Sequence, residues 1–140
     1  MSEDNQAIRD LHKLNADTLE KTTVMLLTAT TASIGYILTQ IKDEHWSSLI
    51  YFPMAALVLL SVSFICGLLY LYNQAERYEI NRRYIETLQN PTKSYPLAGQ
   101  LRERVKINER QRRGQYVCFL LGALCYALYV FFKIYVKSHI

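Results

Sequence analysis

The stretch LIYFPMAALVLLSVSFICGLLYLY, residues 49–72, decides the fold. It lies inside a longer run, 46–75, that carries no Asp, Glu, Lys, Arg or His. A bilayer core needs about 20 mostly apolar residues in a helix. The segments from Ala55 to Leu60 and from Phe64 to Tyr72 supply them. Pro53 falls in the first turn, where a missing N–H costs little. Leu49–Tyr72 is therefore expected to cross a membrane.

Two more charge-free runs flank it, residues 22–41 and 114–132. They give candidate spans Thr22–Ile41 and Tyr116–Val136. The first is the least hydrophobic, with six Thr, Ser33 and Gln40. The charged punctuation Lys42-Asp43-Glu44 and the span next door favour the membrane for it. In the third, Lys133 sits near the end, from where its stem can reach the headgroups. The chain has 140 residues, 51% hydrophobic and 20% charged. A soluble domain of this size disperses its charge, so this segregation excludes an ordinary soluble enzyme.

Orientation follows from the bases. The N-terminal flank holds Arg9, Lys13 and Lys21, and the segment between spans two and three holds ten Lys or Arg. The other side holds only Lys42, Lys133 and Lys137, so the division is thirteen against three. The N-terminus and the long middle segment are expected in the cytoplasm, and the C-terminus outside. Trp46, Tyr51 and Tyr135 are the expected outer aromatic anchors, and Tyr70, Tyr72 and Tyr116 the inner ones.

The middle segment is too charged for a bilayer yet keeps a helical pattern. Ile80, Tyr84 and Leu88 recur every fourth residue, and so do Leu97, Leu101 and Val105. Between them lies the turn-rich stretch from Asn90 to Pro96. The triplets mirror one another about that break, pairing Leu88 with Leu97, Tyr84 with Leu101 and Ile80 with Val105. An antiparallel hairpin brings such stripes face to face. An alternative is a flexible loop whose stripes meet other subunits. The expected fold class is thus an all-α membrane protein with three transmembrane helices, spans two and three extending into a cytoplasmic antiparallel helical hairpin. Its parts are a cytoplasmic amphipathic helix (1–21), transmembrane helices 1 and 2 (22–72), the hairpin (73–114), and transmembrane helix 3 with a short outer tail (115–140). Ala7, Ile8, Leu11 and Leu14 share one face of the N-terminal piece, which either lies on the inner leaflet, packs on the hairpin or frays as a tail.

Two features are candidate sites. In span one, Thr28, Thr31, Gly35 and Thr39 fall on one face, and Leu27, Ile34, Leu38 and Ile41 on another. Small residues let helix backbones approach, and Thr hydroxyls bond across helices or back to their own. This face is read as a helix-packing face inside one bundle, as an oligomer face, or as the lining of a water-filled path. The second feature is the basic run before span three, with Arg102, Arg104, Lys106, Arg110, Arg112 and Arg113. It suits anionic lipid headgroups, or a phosphate-bearing ligand such as a nucleotide between neighbouring hairpins. Nucleic acid is not expected, because no aromatics interleave with the charge.

Several chemistries have no footing. Cys66, Cys118 and Cys125 lie in the spans and read as small packing residues. His12, His45 and His139 are scattered. There is no phosphate-binding Gly loop and no metal-ligand spacing. No span carries a charge at its middle, as proton pumping and ion-coupled transport usually require. The chain is read as non-enzymatic, with no cofactor and no metal.

A polar N-terminal helix leads through Asn15-Ala16-Asp17-Thr18-Leu19-Glu20-Lys21 into a Thr-rich first span, a close second span, a charged helical segment, a basic stretch and a last span. This layout resembles the small multi-pass membrane effectors of bacterial nucleotide-signalled anti-phage defence, the Pycsar transmembrane effectors among them. The resemblance implies self-assembly in the inner membrane and membrane disruption after infection. It carries over no binding residue. On this reading the chain is an oligomeric, pore-forming or membrane-perturbing effector, with lipids, further copies of itself and a nucleotide ligand as partners. The alternative is a non-pore integral subunit whose cytoplasmic hairpin docks a soluble protein.

Overall fold

A computed structural model describes residues 2–42, 48–87 and 91–138. Three long helices make up nearly all of it. Helix α1 is Ser2–Lys42, α2 is Tyr51–Glu86 and α3 is Pro91–Ser138, with a single 3-10 turn, Ser48–Ile50, leading into α2. There is no strand among the described residues. All three helices contain stretches long and apolar enough to cross a membrane. At about 1.5 Å per residue they reach roughly 55–70 Å, well beyond a bilayer core of ~30 Å.

The helices run unbroken through positions 21/22, 72/73 and 114/115, where the charge pattern changes. The backbone has no reason to stop there. In α1, Thr18 donates to Leu14 O at 2.8 Å and Thr22 to Thr18 O at 2.7 Å, while Lys21 pairs with Asp17 one turn back. These contacts stay within the helix and bridge the expected boundary. The expected amphipathic piece is thus the first half of one 41-residue helix.

The break between α2 and α3 is shorter than the turn signals suggested. Helix α2 closes at Thr87, whose N–H reaches Arg83 O and Tyr84 O and whose hydroxyl also donates to Arg83 O. Helix α3 already begins at Pro91. Proline fits a first helical position, since its fixed φ is helical and its missing N–H had no partner anyway. Pro96 lies inside the helix and removes only the bond to the carbonyl of residue 92. Residues 88–90, with Leu88 and Asn90, lie outside the described residues, as do Asp43 to Ser47 and the two terminal residues His139 and Ile140.

Packing follows a repeat of three and four. In α2 the buried residues are Pro53, Ala56, Leu60, Ser63, Gly67, Tyr70, Asn73 and Gln74. In α1 they are Thr23, Leu27, Thr30 and Ile37, and in α3 Asn108, Gln115, Gly122 and Tyr129. This is the seam of left-handed helix packing, and small or polar side chains occupy much of it. Ile37, Ala56 and Leu60 form its apolar centre, with Ile34, Ile41, Phe119 and Tyr126 against them. A Cβ on Gly122 would come within 3.0 Å of Leu60 Cγ and 3.4 Å of Ala56 O, so the backbones of α2 and α3 are close there. Phe52 and Phe132 meet at 5.9 Å between centroids.

Outside the seam, large apolar side chains point away from the bundle, among them Met25, Val58, Ile65, Leu120, Leu124 and Phe131. Tyr51, Tyr72 and Tyr135 face outward in the same way. Tyr70 differs from its expected role as an interfacial anchor. It is 5% exposed and belongs to the seam, because it follows Ser63 and Gly67 on the same stripe. Trp46 lies outside the described residues.

Candidate functional site

Along the α2–α3 seam the packing turns from apolar to polar towards the end of α2. At the level of Gly67, three helices touch. A Cβ there would come within 2.8 Å of Leu27 Cδ2 and 2.9 Å of Gln115 Cδ, so only a glycine leaves space for the glutamine. Gln115 is completely buried, and neither of its amide atoms has a hydrogen-bond partner. Its backbone carbonyl accepts the Ser63 hydroxyl at 2.8 Å.

Beyond Gln115 a ladder of side chains joins the two helices. Asn73 Nδ2 donates to Gln111 Oε1 at 2.7 Å, and Asn108 Nδ2 to Gln74 Oε1 at 3.0 Å. Arg104 Nη1 donates to Asn73 Oδ1 at 2.9 Å. The same guanidinium pairs with Glu76 at 2.8 and 3.1 Å. Both side chains of that pair are about one-third exposed. Their attraction is therefore worth more than that of a solvated surface pair and less than that of a sealed one. Each step up α2 meets a step down α3, so the two helices run in opposite directions along these contacts.

The register of those contacts scatters about the mirror pairing expected from the apolar triplets: Asn73 meets Gln111, one residue from its mirror partner Arg112, and the other contacts depart further. That pairing would set Asn108 against Arg77, whereas Asn108 bonds Gln74, and Gln115 lies against Gly67 and Ser63 rather than Tyr70. The offset is up to about two turns. The polar ladder and the close glycine contacts fix the alignment, and the stripes follow it. Ile80, Tyr84, Leu97 and Leu101 are half-buried and Val105 is 43% exposed. Leu101 and Val105 share a cleft with Tyr78 and Asn81, while Ile80 lines a different one with Gln100 and Arg104. The Leu88–Leu97 pair lies outside the described residues on its Leu88 side.

The hydroxyl face of α1 stands apart from the seam. Thr28, Thr31, Gly35 and Thr39 are all exposed, and nothing lies within 4 Å of a Cβ built on Gly35. The hydroxyls are turned onto their own helix. Thr28 donates to Val24 O at 3.0 Å, Thr31 to Leu27 O at 2.9 Å and Thr39 to Tyr36 O at 2.7 Å. Of the opposing apolar set, Leu27 is buried and Ile34 and Ile41 half-buried, but Leu38 is 53% exposed.

The basic run divides in two. Arg104 is drawn into the seam by Glu76 and Asn73. Arg102, Lys106, Arg110 and Arg113 are exposed and Arg112 is half-buried. Lys106, Arg110 and Arg113 share a shallow surface depression with Glu109, and Arg113 also pairs with Glu109 at 2.5 Å. On α2, Glu79 accepts from Arg83 and Arg82, both at 3.1 Å, and these guanidiniums hold its carboxyl below its ordinary range. No group of metal-ligating side chains occurs among the described residues.

Thr23, Thr30, Ser63, Asn73, Gln74, Asn108, Gln111 and Gln115 escaped the sequence reading. A signal for them exists. Small and polar residues recur at intervals of three and four inside otherwise apolar helices, and in such helices these types mark the contact side. Comparison with family models, with curated proteins and with solved structures finds no match to this chain.

Proposed function

We propose that this chain is a non-enzymatic, multi-pass membrane protein whose copies associate through α1 and perturb a bacterial inner membrane, in the manner of the anti-phage effectors that its layout resembles. Spans Thr22–Ile41, Leu49–Tyr72 and Tyr116–Val136 cross the bilayer. The outward-facing apolar side chains support this, since exposed patches of that extent belong against lipid or protein. The N-terminus and the α2–α3 junction lie in the cytoplasm and the C-terminus outside, as the thirteen-to-three division of bases favours. The polar ladder from Asn73 to Arg104 then joins the two arms of a cytoplasmic helical hairpin.

One observation carries the assembly reading. Thr28, Thr31, Gly35 and Thr39 are open on α1, roughly opposite the buried stripe of Thr23, Thr30 and Ile37. Lipid tails gain nothing from a glycine and three threonines, whereas a facing helix gains close backbone approach. The threonine hydroxyls are already satisfied by their own carbonyls, which favours packing over a water-lined path. The effector reading is tested by induced expression with a membrane-potential dye, joined to the mass of the detergent-extracted complex. Depolarisation together with a multi-copy complex is expected. A monomer that leaves the potential intact contradicts it.

A second reading has its own support. The cleft of Leu101, Val105, Tyr78 and Asn81 mixes apolar and polar groups on the hairpin arms, as a docking surface for a soluble partner would. A stable soluble protein co-purifying with the complex, and lost on Val105→Glu, favours that reading.

A further inference from the structure

We propose that the cleft around Arg77, where α1, α2 and α3 converge, binds a phosphate-bearing anion, supplied either by an acidic phospholipid headgroup or by a soluble phosphate ester. The cleft has a volume of about 300 Å³. Ala16 of α1 and Leu101 and Val105 of α3 form its apolar walls, and Arg77, Tyr78 and Asn81 of α2 its polar side. Gln74 also lines it.

The charge balance of the cleft is what calls for an anion. A guanidinium keeps its charge under all ordinary conditions. Arg77 is half-buried, and its Nε is buried without a hydrogen-bond partner. Its Nη1 donates to Gln74 Oε1 at 3.3 Å, a long bond to an oxygen that already accepts from Asn108 Nδ2 at 3.0 Å. Asn108 is 3% exposed, and its Oδ1 also lacks a partner. Neighbouring carboxylates are engaged elsewhere. Glu76 pairs with Arg104, Glu79 with Arg82 and Arg83, and Asp17 with Lys21. Glu20, one turn along α1 from Ala16, makes no ion pair with Arg77 among the described residues. A half-buried cation without a counter-charge is unfavourable. A phosphate offers it several charged acceptors at once, in the fork geometry that guanidinium prefers.

Tyr78 and Asn81 add donors on the same wall, and the apolar walls suit the carbon part of an ester. The site also differs in kind from the exposed bases at Arg102, Lys106 and Arg110, which are solvated and hold an anion only loosely. The inference rests in part on the membrane reading. Arg77 is the first base after the charge-free run 46–75, which places it at the cytoplasmic headgroup level if α2 crosses the bilayer.

The test uses the full chain extracted in a neutral detergent, with two probes. Native mass spectrometry with equal phosphatidylglycerol and phosphatidylcholine reads lipid retention, and melting with and without inorganic phosphate reads the soluble ligand. Wild type should retain phosphatidylglycerol at least fivefold over phosphatidylcholine, or melt several degrees higher in phosphate, according to the source of the anion. Arg77→Gln should abolish whichever effect is seen, and Lys42→Gln, an exposed base outside the cleft and the basic run, should leave it unchanged. Val105→Trp fills the cleft while keeping the arginine, and it should also abolish the effect if Arg77→Gln fails to fold. No preference in wild type for either probe overturns the proposal, as does equal binding by Val105→Trp. Alkaline carbonate extraction of the same membranes reports separately on insertion. Release of wild type by carbonate sinks the membrane reading and leaves the phosphate comparison standing.

Discussion

Along α1, Thr23, Thr30 and Ile37 are buried in the bundle, while Thr28, Gly35 and Thr39 stand open on the other side. Thr30 and Thr28 each donate to the carbonyl four residues back, at 2.7 and 3.0 Å, so hydrogen bonding does not distinguish them. What differs is the neighbour. The buried side meets α2, where Gly67 and Ser63 keep the facing surface low. The open side has small residues of the same kind and no helix of its own chain against it. Small residues in an apolar helix mark contact surfaces; one side of this helix is filled from within, and on our proposal the open side is filled by another copy.

The largest effect should come from blocking the filled side. Gly67→Leu drives a side chain into Gln115 and Leu27. Overpacking of this kind costs about 3 kcal/mol at the upper end of its usual range. The variant should lose its cooperative melt in detergent and become protease-sensitive. Survival of the wild-type melting curve would mean that the three helices do not meet at this point.

Next in size is the polar end of the seam. Glu76→Gln removes the charge that holds Arg104 and leaves the guanidinium with neutral amide acceptors only. A loss of about 1–3 kcal/mol is expected, between the values for solvated and sealed pairs. Double substitution with Arg104→Gln should recover part of it. A double-variant loss equal to the sum of the two single losses would show that the pair itself contributes nothing.

Thr31→Val probes the open side more gently. It keeps the shape and removes a hydroxyl that is bonded to Leu27 O. Stability should stay within about 0.5 kcal/mol, and any depolarisation should be nearly unchanged. Impaired depolarisation with the complex intact would instead make this face a water lining. Smaller still is the contribution of Glu79. Its carboxyl is held below its ordinary value of 4.5 by Arg83 and then Arg82. The stabilisation is present above that value and is lost as pH falls through the lowered one. Because the side chain is 43% exposed, the effect should weaken in high salt, and a carbon-13 titration of the Glu79 carboxyl reads it directly.

The sequence made the three apolar helices legible because charge is absent from residues 22–41, 46–75 and 114–132, and helix ends cannot hide such runs. The seam was harder to see. Hydrophobic periodicity reports a buried face only when the opposite face is polar, and in these helices outward-facing positions such as Ile65 and Leu120 are as apolar as the core at Leu60. Ser63, Gly67, Gln115 and Gly122 carried the information instead, through size and polarity. The apolar triplets around the α2–α3 break gave a register that the Asn73–Gln111 bond matches to within one residue, while the Asn108–Gln74 bond and the contacts of Arg104 depart from it by three to eight residues. Among the six bases, nothing local distinguished Arg104. Its partner Glu76 lies 28 residues away.

The proposed assembly face on the open side of α1 is tested by the mass of the detergent-extracted complex for Gly35→Leu. Among the described residues nothing lies within 4 Å of a Cβ built on Gly35, so the variant should keep wild-type helix content and melting. The account predicts a multi-copy complex for wild type and for Leu38→Ala, and a monomer for Gly35→Leu. A Gly35→Leu complex of wild-type mass would contradict it.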